Sequence, residues 1–140
     1  MKNLLYVIVF AVLISSCSNI NEPNYDLDYS CIESRIFFGL ESETTPVTES
    51  QWLDFVNNEV VKYFPAGFTV IDANGFYRNC DTCVTYIEKS KIIMLVYPKN
   101  SLLENEHKIK QISDYYMEKY NNLSVLVSSS NVECKFLYRE

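Results

Sequence analysis

Histidine occurs once in the 140 residues, at position 107, and that scarcity removes much acid–base and nucleophilic chemistry from consideration. A serine hydrolase needs an imidazole base behind its nucleophile, and no Gly-x-Ser-x-Gly elbow accompanies His107. A single histidine without nearby cysteines also reads as a helix-surface residue rather than a metal ligand. Glycine is almost as rare, with three in the chain, so no Gly-rich loop is available to cradle a phosphate. Basic residues are outnumbered, 12 Lys and Arg against 18 Asp and Glu. That balance leaves no stripe to neutralise phosphates and argues against nucleic acid as a partner. Finally, no apolar run reaches the roughly 20 residues that a bilayer-spanning helix requires.

What is present at the start is a shorter apolar run. Lys2 precedes Leu4 to Ile14 (LLYVIVFAVLI), and Ile14-Ser15-Ser16-Cys17 follows. A cationic start, a short apolar stretch and small residues before a cut site make a secretion signal. The serines before Cys17, with an aliphatic residue three before it, resemble the lipobox of bacterial lipoprotein precursors, in which the cysteine is acylated and becomes the new N-terminus. The expectation is a signal peptide over residues 1–16, an acylated tether over 17–30 and one domain over 31–140. Acyl chains on Cys17 would make the membrane a permanent partner. The expected location is the bacterial cell envelope, on the outer membrane facing the periplasm. Ser18 to about Ser30 (SNINEPNYDLDYS) is polar and acidic, as a spacer would be.

With Cys17 used for lipid, Cys31, Cys80, Cys83 and Cys134 remain, an even number for an oxidising compartment. Three pairings are open, and oxidation makes a four-thiolate metal site improbable.

Arg35 to Leu40 (RIFFGL) is apolar and rich in aromatic and branched residues, which reads as a short buried strand, and a polar loop follows from Glu41 to Pro46. At Thr48 the helix-start signals coincide. Thr48 and Gln51 have capping-box spacing, and Val47 and Trp52 stand at the positions of a hydrophobic staple. Trp52, Phe55, Val56, Val60 and Tyr63 then share a face, predicting a helix from about Thr48 to Phe64. Phe68 to Arg78 reads as a strand bent or bulged at Asn74-Gly75, with the turn at Asn79 to Thr82. Val84 to Tyr97 is the most strand-like run and is expected at the sheet centre. Ser101 and Glu104 repeat the capping-box pattern, and Ile109, Ile112, Tyr116 and Tyr120 predict a helix from about Ser101 to Tyr120, stopped at Asn121-Asn122. Leu123 to Val127 and Val132 to Tyr138 close the chain as one bent strand, or as two around a turn at Ser128 to Asn131.

The resulting order is βαββαβ, an α+β ferredoxin-like arrangement: a four-stranded antiparallel sheet of order 4-1-3-2 with two helices on one face. The same segments resemble a bacterial family of proteins of unknown function, number 3574, whose members carry secretion or lipoprotein signals. The matching residues are Phe38-Gly39-Leu40, Val47-Thr48-Glu49, Trp52, Phe55, Val60 and the run Phe64 to Val70. Gly75, Glu88, Ser90-Lys91, Tyr116, Ser124-Val125-Leu126, Cys134 and Phe136 complete the pattern. The chain departs from the family at Glu41 to Pro46 and at Cys80 to Cys83. The resemblance implies a fold and a location, and no reaction.

In that sheet order the last strand lies beside the first, which brings Cys134 towards Cys31. Cys80 and Cys83 then pair as a clip in the turn between two strands. Catalytic redox use of that pair is disfavoured, because no helix N-terminus lowers a thiol pKa there and Asp81 raises it.

Glu88-Lys89-Ser90-Lys91 interrupts an otherwise buried strand. With Arg78 on the paired strand, Glu88, Ser90 and Lys91 form the candidate pocket for a small anionic ligand, in which Arg78 or Lys91 meets a carboxylate. The structural reading, which the pattern favours, is a cross-strand charge pair with Ser90 at a bulge. No catalytic residue, metal or cofactor is implied, because no nucleophile–base pair can be assembled. The expected function is therefore a non-enzymatic binding or interaction module, with a small ligand, a protein partner or a homodimer formed by pairing sheets. The alternative is a small periplasmic enzyme with a pocket between sheet and helices, as in dimeric ferredoxin-like oxygenases and isomerases.

Overall fold

A computed structural model describes residues 30–41, 45–78, 81, 83–135, 137 and 139. The signal, Cys17 and almost all of the expected tether fall outside these residues. The elements are β1 (Ser30–Gly39), α1 (Glu49–Phe55), a π-helical turn (Val56–Val60), α2 (Val61–Tyr63), β2 (Thr69–Arg78) and β3 (Thr85–Pro98), then a 3₁₀ turn (Lys99–Ser101), α3 (Leu102–Tyr120) and β4 (Leu126–Glu133). The sheet order is β2-β3-β1-β4, antiparallel throughout, which is the expected ferredoxin-like topology read from its other edge.

β1 begins five residues earlier than its apolar stretch suggested. Ile32, Ser34, Ile36 and Phe38 are buried, so the inward face includes a serine. Ser34 Oγ satisfies itself there by bonding Tyr97 Oη at 2.8 Å and Ser129 Oγ at 2.7 Å. A buried hydroxyl needs such partners, and their absence from the local sequence is why SCIESR does not look like a strand.

The first helix starts as its cap dictates. The Gln51 N–H donates to Thr48 Oγ1 and the Thr48 N–H donates to Gln51 Oε1, closing the box. Val47 and Trp52 are both buried in the core, as the staple positions require. The π turn that follows is one residue wider than an α turn, and it seats Phe55 and Val60, five apart, both fully buried.

At α3 the expected capping box does not form. Ser101 Oγ instead donates to the Pro98 carbonyl, and Asn105 Nδ2 donates to Ser101 Oγ at 2.9 Å. The 3₁₀ turn keeps Ser101 busy with its own backbone, and Glu104 pairs with Lys108 one turn on. The helix ends where expected: Asn121 takes the left-handed conformation at φ 49° and the Asn122 N–H closes on the Met117 carbonyl.

Two further corrections concern strands. The register of β2 with β3 runs unbroken from Thr69↔Met94 to Arg78↔Thr85, so Asn74-Gly75 is neither bulge nor bend. Ser128 to Asn131 is no turn either. These residues run through the middle of β4, pairing with Arg35 to Ile32 on β1.

Both helices pack on one face of the sheet. Phe38 is the hub, with ring centroids 4.8 Å from Tyr116, 5.4 Å from Phe55 and 5.6 Å from Trp52, all tilted or edge-on as aromatic quadrupoles prefer. Tyr115, which the sequence left unassigned to any core, stacks on Phe55 at 6.1 Å and accepts a hydrogen bond from Lys119. Among the described residues, every buried core residue lies between Cys31 and Tyr120.

Cys31 and Cys134 form a disulfide across β1 and β4, Cα to Cα 5.9 Å, as the strand order required. Cys83 is exposed, and the proposed clip involves Cys80, which lies outside the described residues. No described helix is long and apolar enough to cross a membrane.

Candidate functional site

Strand alternation decides which polar residues share a face. In β1 the inward residues are even-numbered up to Phe38, so Phe37 and Gly39 point away from the helices. The register then puts Ser90 opposite Gly39, Glu88 opposite Gly75, Tyr86 opposite Tyr77 and Leu126 opposite Phe37. These residues line one cleft of about 510 Å³ at the end of the helix-free face. Glu41 and the connection from Asn121 to Ser124 wall its far end.

The chain is pinned tightly around this cleft. The Gly39 carbonyl accepts from Tyr116 Oη at 2.8 Å and from Asn122 Nδ2 at 2.9 Å, and the same amide reaches the Glu41 carbonyl at 3.2 Å. The Leu40 N–H donates to the Lys89 carbonyl at 2.8 Å. Burial, with smaller contributions from Tyr120 and the Glu88 carboxylate, pushes the Tyr116 hydroxyl well above its usual range, so it serves as a neutral donor. Gly39 has no side chain for a reason: a Cβ there would land on Glu88 Oε1 and come within 3.3 Å of Glu88 Cδ. The glycine leaves the space that the Glu88 carboxylate occupies.

Charge and ring placement give the cleft its chemistry. Among the described residues its lining includes two carboxylates, Glu41 and Glu88, and no lysine or arginine. Tyr77 and Tyr86 stack on each other across the strands, centroids 5.3 Å apart and 14° from parallel, and present an aromatic wall. Half-exposed rings beside a carboxylate are suited to a cation or to a ligand with a flat ring.

Of the four residues singled out from the sequence, Glu88 and Ser90 line the cleft and Arg78 and Lys91 do not. Lys91 falls on the helix face one residue out of phase, beside Phe38 in register. It is buried, with Nζ 2.6 Å from Asp72 and 2.8 Å from Glu49. Those two carboxylates, Asp72 first, hold its ammonium above lysine's ordinary range. The charge pair across the strands is thus made with Asp72 and not with Arg78, it extends to the start of α1, and the strand runs through Ser90 without a bulge. Arg78 is exposed and its Nε donates to the Cys83 carbonyl at 3.3 Å across the hairpin. The anion pocket expected from Arg78 and Lys91 is thus replaced by an acidic cleft on the opposite face. Under α1 the space between sheet and helices is filled by Trp52, Phe55 and Tyr116, whereas between α3 and β4 a smaller cavity of about 280 Å³ is lined by Ile109, Ser113, Val125, Val127 and Ser129. Sequence reasoning missed Tyr77, Tyr86, Gly39 and Asn122; the alternation of β2 and β3 held the first two, and only the return of the chain after α3 brings Asn122 in.

A family model described as "Protein of unknown function (DUF3574)" matches residues 33–136. No curated protein sequence matches. Among solved structures, a phage SAM lyase in complex with S-methyl-5'-thioadenosine matches with a TM-score of 0.52 at 15% identity, over 77% of this chain and 93% of that one. The same lyase in its apo state matches with a TM-score of 0.50, also at 15% identity, over 76% and 92%. At that identity the likeness establishes the fold and no reaction. Both of these matching chains are those of an enzyme, and this finding corrects the expectation of a non-enzymatic module.

Proposed function

The chain belongs to the family described as protein of unknown function DUF3574, and from that premise we propose that it is an enzyme acting on a small, ring-bearing cation in the cleft at Glu88. The observation that carries this reading is the Glu88 carboxylate held beside the stacked Tyr77 and Tyr86 in a cleft lined without lysine or arginine. The solved phage SAM lyase supplies the class to try first, a sulfonium nucleoside. Its positive sulfur suits a carboxylate and its purine suits an aromatic wall. In a lyase step the bond from sulfur to the amino-acid chain breaks with its electron pair going to sulfur, which leaves as a neutral thioether. The proton lost from the adjacent carbon passes to Glu88 as general base, and the electron pair of that C–H bond becomes a carbon–carbon double bond, so the amino-acid chain leaves as an unsaturated amino acid. Tyr116 and Asn122 act on the Gly39 carbonyl and hold the strand that makes room for that carboxylate.

The setting proposed for this chemistry is the cell envelope. The run Leu4 to Ile14 followed by Ser15-Ser16-Cys17 supports a secretion signal and a lipid anchor at Cys17, with residues 17–30 as the tether and the outer membrane as the site. The disulfide Cys31–Cys134 agrees with an oxidising compartment.

The test is to incubate the chain from Ser18 onward with S-adenosylmethionine and follow release of S-methyl-5'-thioadenosine. Saturable binding and release are expected, and Glu88→Gln is expected to slow release at least a hundredfold, the usual size of a general-base effect. No saturable binding of either molecule at millimolar concentration, with the protein folded by circular dichroism, overturns the reading. Lys91→Met is the control. Its loss leaves Glu49 and Asp72 in water, so it is expected to cost about 1 kcal/mol or less in urea unfolding and to leave nucleoside affinity unchanged.

A further inference from the structure

The helix-free face of the sheet is left uncovered by the described residues, and its middle, on β1, β3 and β2, is largely apolar between charged and serine positions. Phe37, Ile92 and Met94 lie half-buried along its middle, and Ile71 and Val96 are 42% and 51% exposed. At one end lies the cleft, whose walls include Tyr77, Ile87 and Leu126, each more than half exposed. An apolar face of this kind marks an interaction surface. Half the site wall facing water is also a poor setting for a carboxylate meant to act on a desolvated cation.

The charges on the face indicate what covers it. Arg35 lies on this face of β1, two residues from Phe37, and is held by Glu33 at 2.6 Å. Gly39 and its partner Ser90 lie two residues from Phe37 in the other direction, and the carboxylate of Glu88, two positions further on, reaches back over Gly39. The face therefore carries a cation and a carboxylate at about 7 Å on either side of one ring, from the strand rise of about 3.4 Å per residue. A patch that binds its own copy must be self-complementary about a two-fold axis. An axis lying between two sheets and crossing β1 at Phe37 lays Arg35 of one copy over Gly39 and Glu88 of the other. The orthogonal choice, an axis running along β1, lays Arg35 over Arg35 and is disfavoured by like charge.

We propose that a second copy of this chain docks by this open sheet face, with Phe37 at the two-fold axis, and that each copy delivers its Arg35 into the other's cleft. The apolar middle of the face supplies the buried core of the interface and the two Arg35–Glu88 contacts fix its register. The assembled site then holds a carboxylate and a guanidinium on opposite walls, which fits a zwitterionic substrate: the cation meets Glu88 and a carboxylate meets Arg35 in two parallel hydrogen bonds. Arg35's part in substrate binding rests on the functional reading given above, whereas the assembly does not.

The experiment reads mass, not activity, so the two can fail separately. Sedimentation of the chain from Ser18 onward at 10 to 100 μM is expected to give a dimer, and Val96→Asp, at an exposed position, a folded monomer. Arg35→Glu and Glu88→Lys are each expected to weaken assembly at least tenfold. Mixed together they are expected to recover a heterodimer near wild-type affinity, because both cross-copy contacts are then between opposite charges. A monomer at every concentration, a dimer that survives Val96→Asp, or a mixture that stays dissociated overturns the proposal.

Discussion

Cys134→Ser is expected to lower the stability of the folded domain by about 4 to 5 kcal/mol, the largest loss foreseen for any single substitution in this chain. The bridge from Cys31 spans 103 residues of sequence, and in the chain-entropy account a loop of that size restricts the unfolded ensemble by about that much. The bridged Cα atoms are 5.9 Å apart, within the ordinary range for a disulfide. Domains of this size hold about 5 to 15 kcal/mol in total, so the variant stands near the edge of folding. Thermal unfolding is the direct measurement, with a fall of roughly 20 °C expected. The wild-type protein in strong reductant should fall by the same amount. Wild-type and variant chains with the same midpoint under oxidising conditions would show that the edge strand holds without its staple.

Gly39→Ala is expected to damage catalysis far more than stability. The new methyl meets the end of the Glu88 side chain rather than backbone, and that carboxylate can rotate away at small energetic cost. Gly39 has no positive φ, so an alanine there carries no backbone strain. Unfolding should shift by less than about 1.5 kcal/mol, the ordinary cost of a tolerated change of one carbon. On the lyase reading proposed above, turnover should fall by a factor of ten to a hundred, because a general-base carboxylate displaced by about 1 Å loses its approach to the reacting proton. The diagnostic comparison is with Glu88→Gln in the Gly39→Ala background. If Gly39 acts only by housing Glu88, the double variant is no slower than Glu88→Gln alone, and a fully multiplicative loss contradicts that role.

The topology was legible because its signals are local and mutually consistent. Thr48 and Gln51, Val47 and Trp52, and the aromatic spacing of both helices each specify an element within a dozen residues. The strand order then followed from the element order, and the bridge from the strand order. What stayed hidden depends on distant partners. Ser34 looks out of place in β1 until Tyr97 and Ser129, 63 and 95 residues away, supply its hydrogen bonds. Ser128 to Asn131 looks like a turn because its composition is polar, yet β1 holds it extended along the sheet edge.

The site was half legible for a related reason. The sequence located the polar interruption at Glu88 to Lys91 correctly but could not divide it between the faces of the sheet. Lys91 and Glu88 are three apart, an odd number, so a strand must send them to opposite sides. That parity was available in the sequence, and it was obscured by the expectation of a bulge at Ser90. With the register unbroken, the lysine goes under α1 to its two carboxylates and the glutamate goes out to the cleft.

The placement of β1 also decides how the domain bears a load. Its first residue, Ser30, is where the described chain begins, and one residue later Cys31 is covalently tied to the end of β4. β1 is hydrogen-bonded along its length to β3 on one side and β4 on the other. A pull exerted through the preceding segment, along the axis of β1, would load both ladders in shear, so that many bonds resist together instead of opening one by one. The bridge would share that tension with a second strand from its first residue onward. A domain hung from a surface by this end is held by its strongest seam.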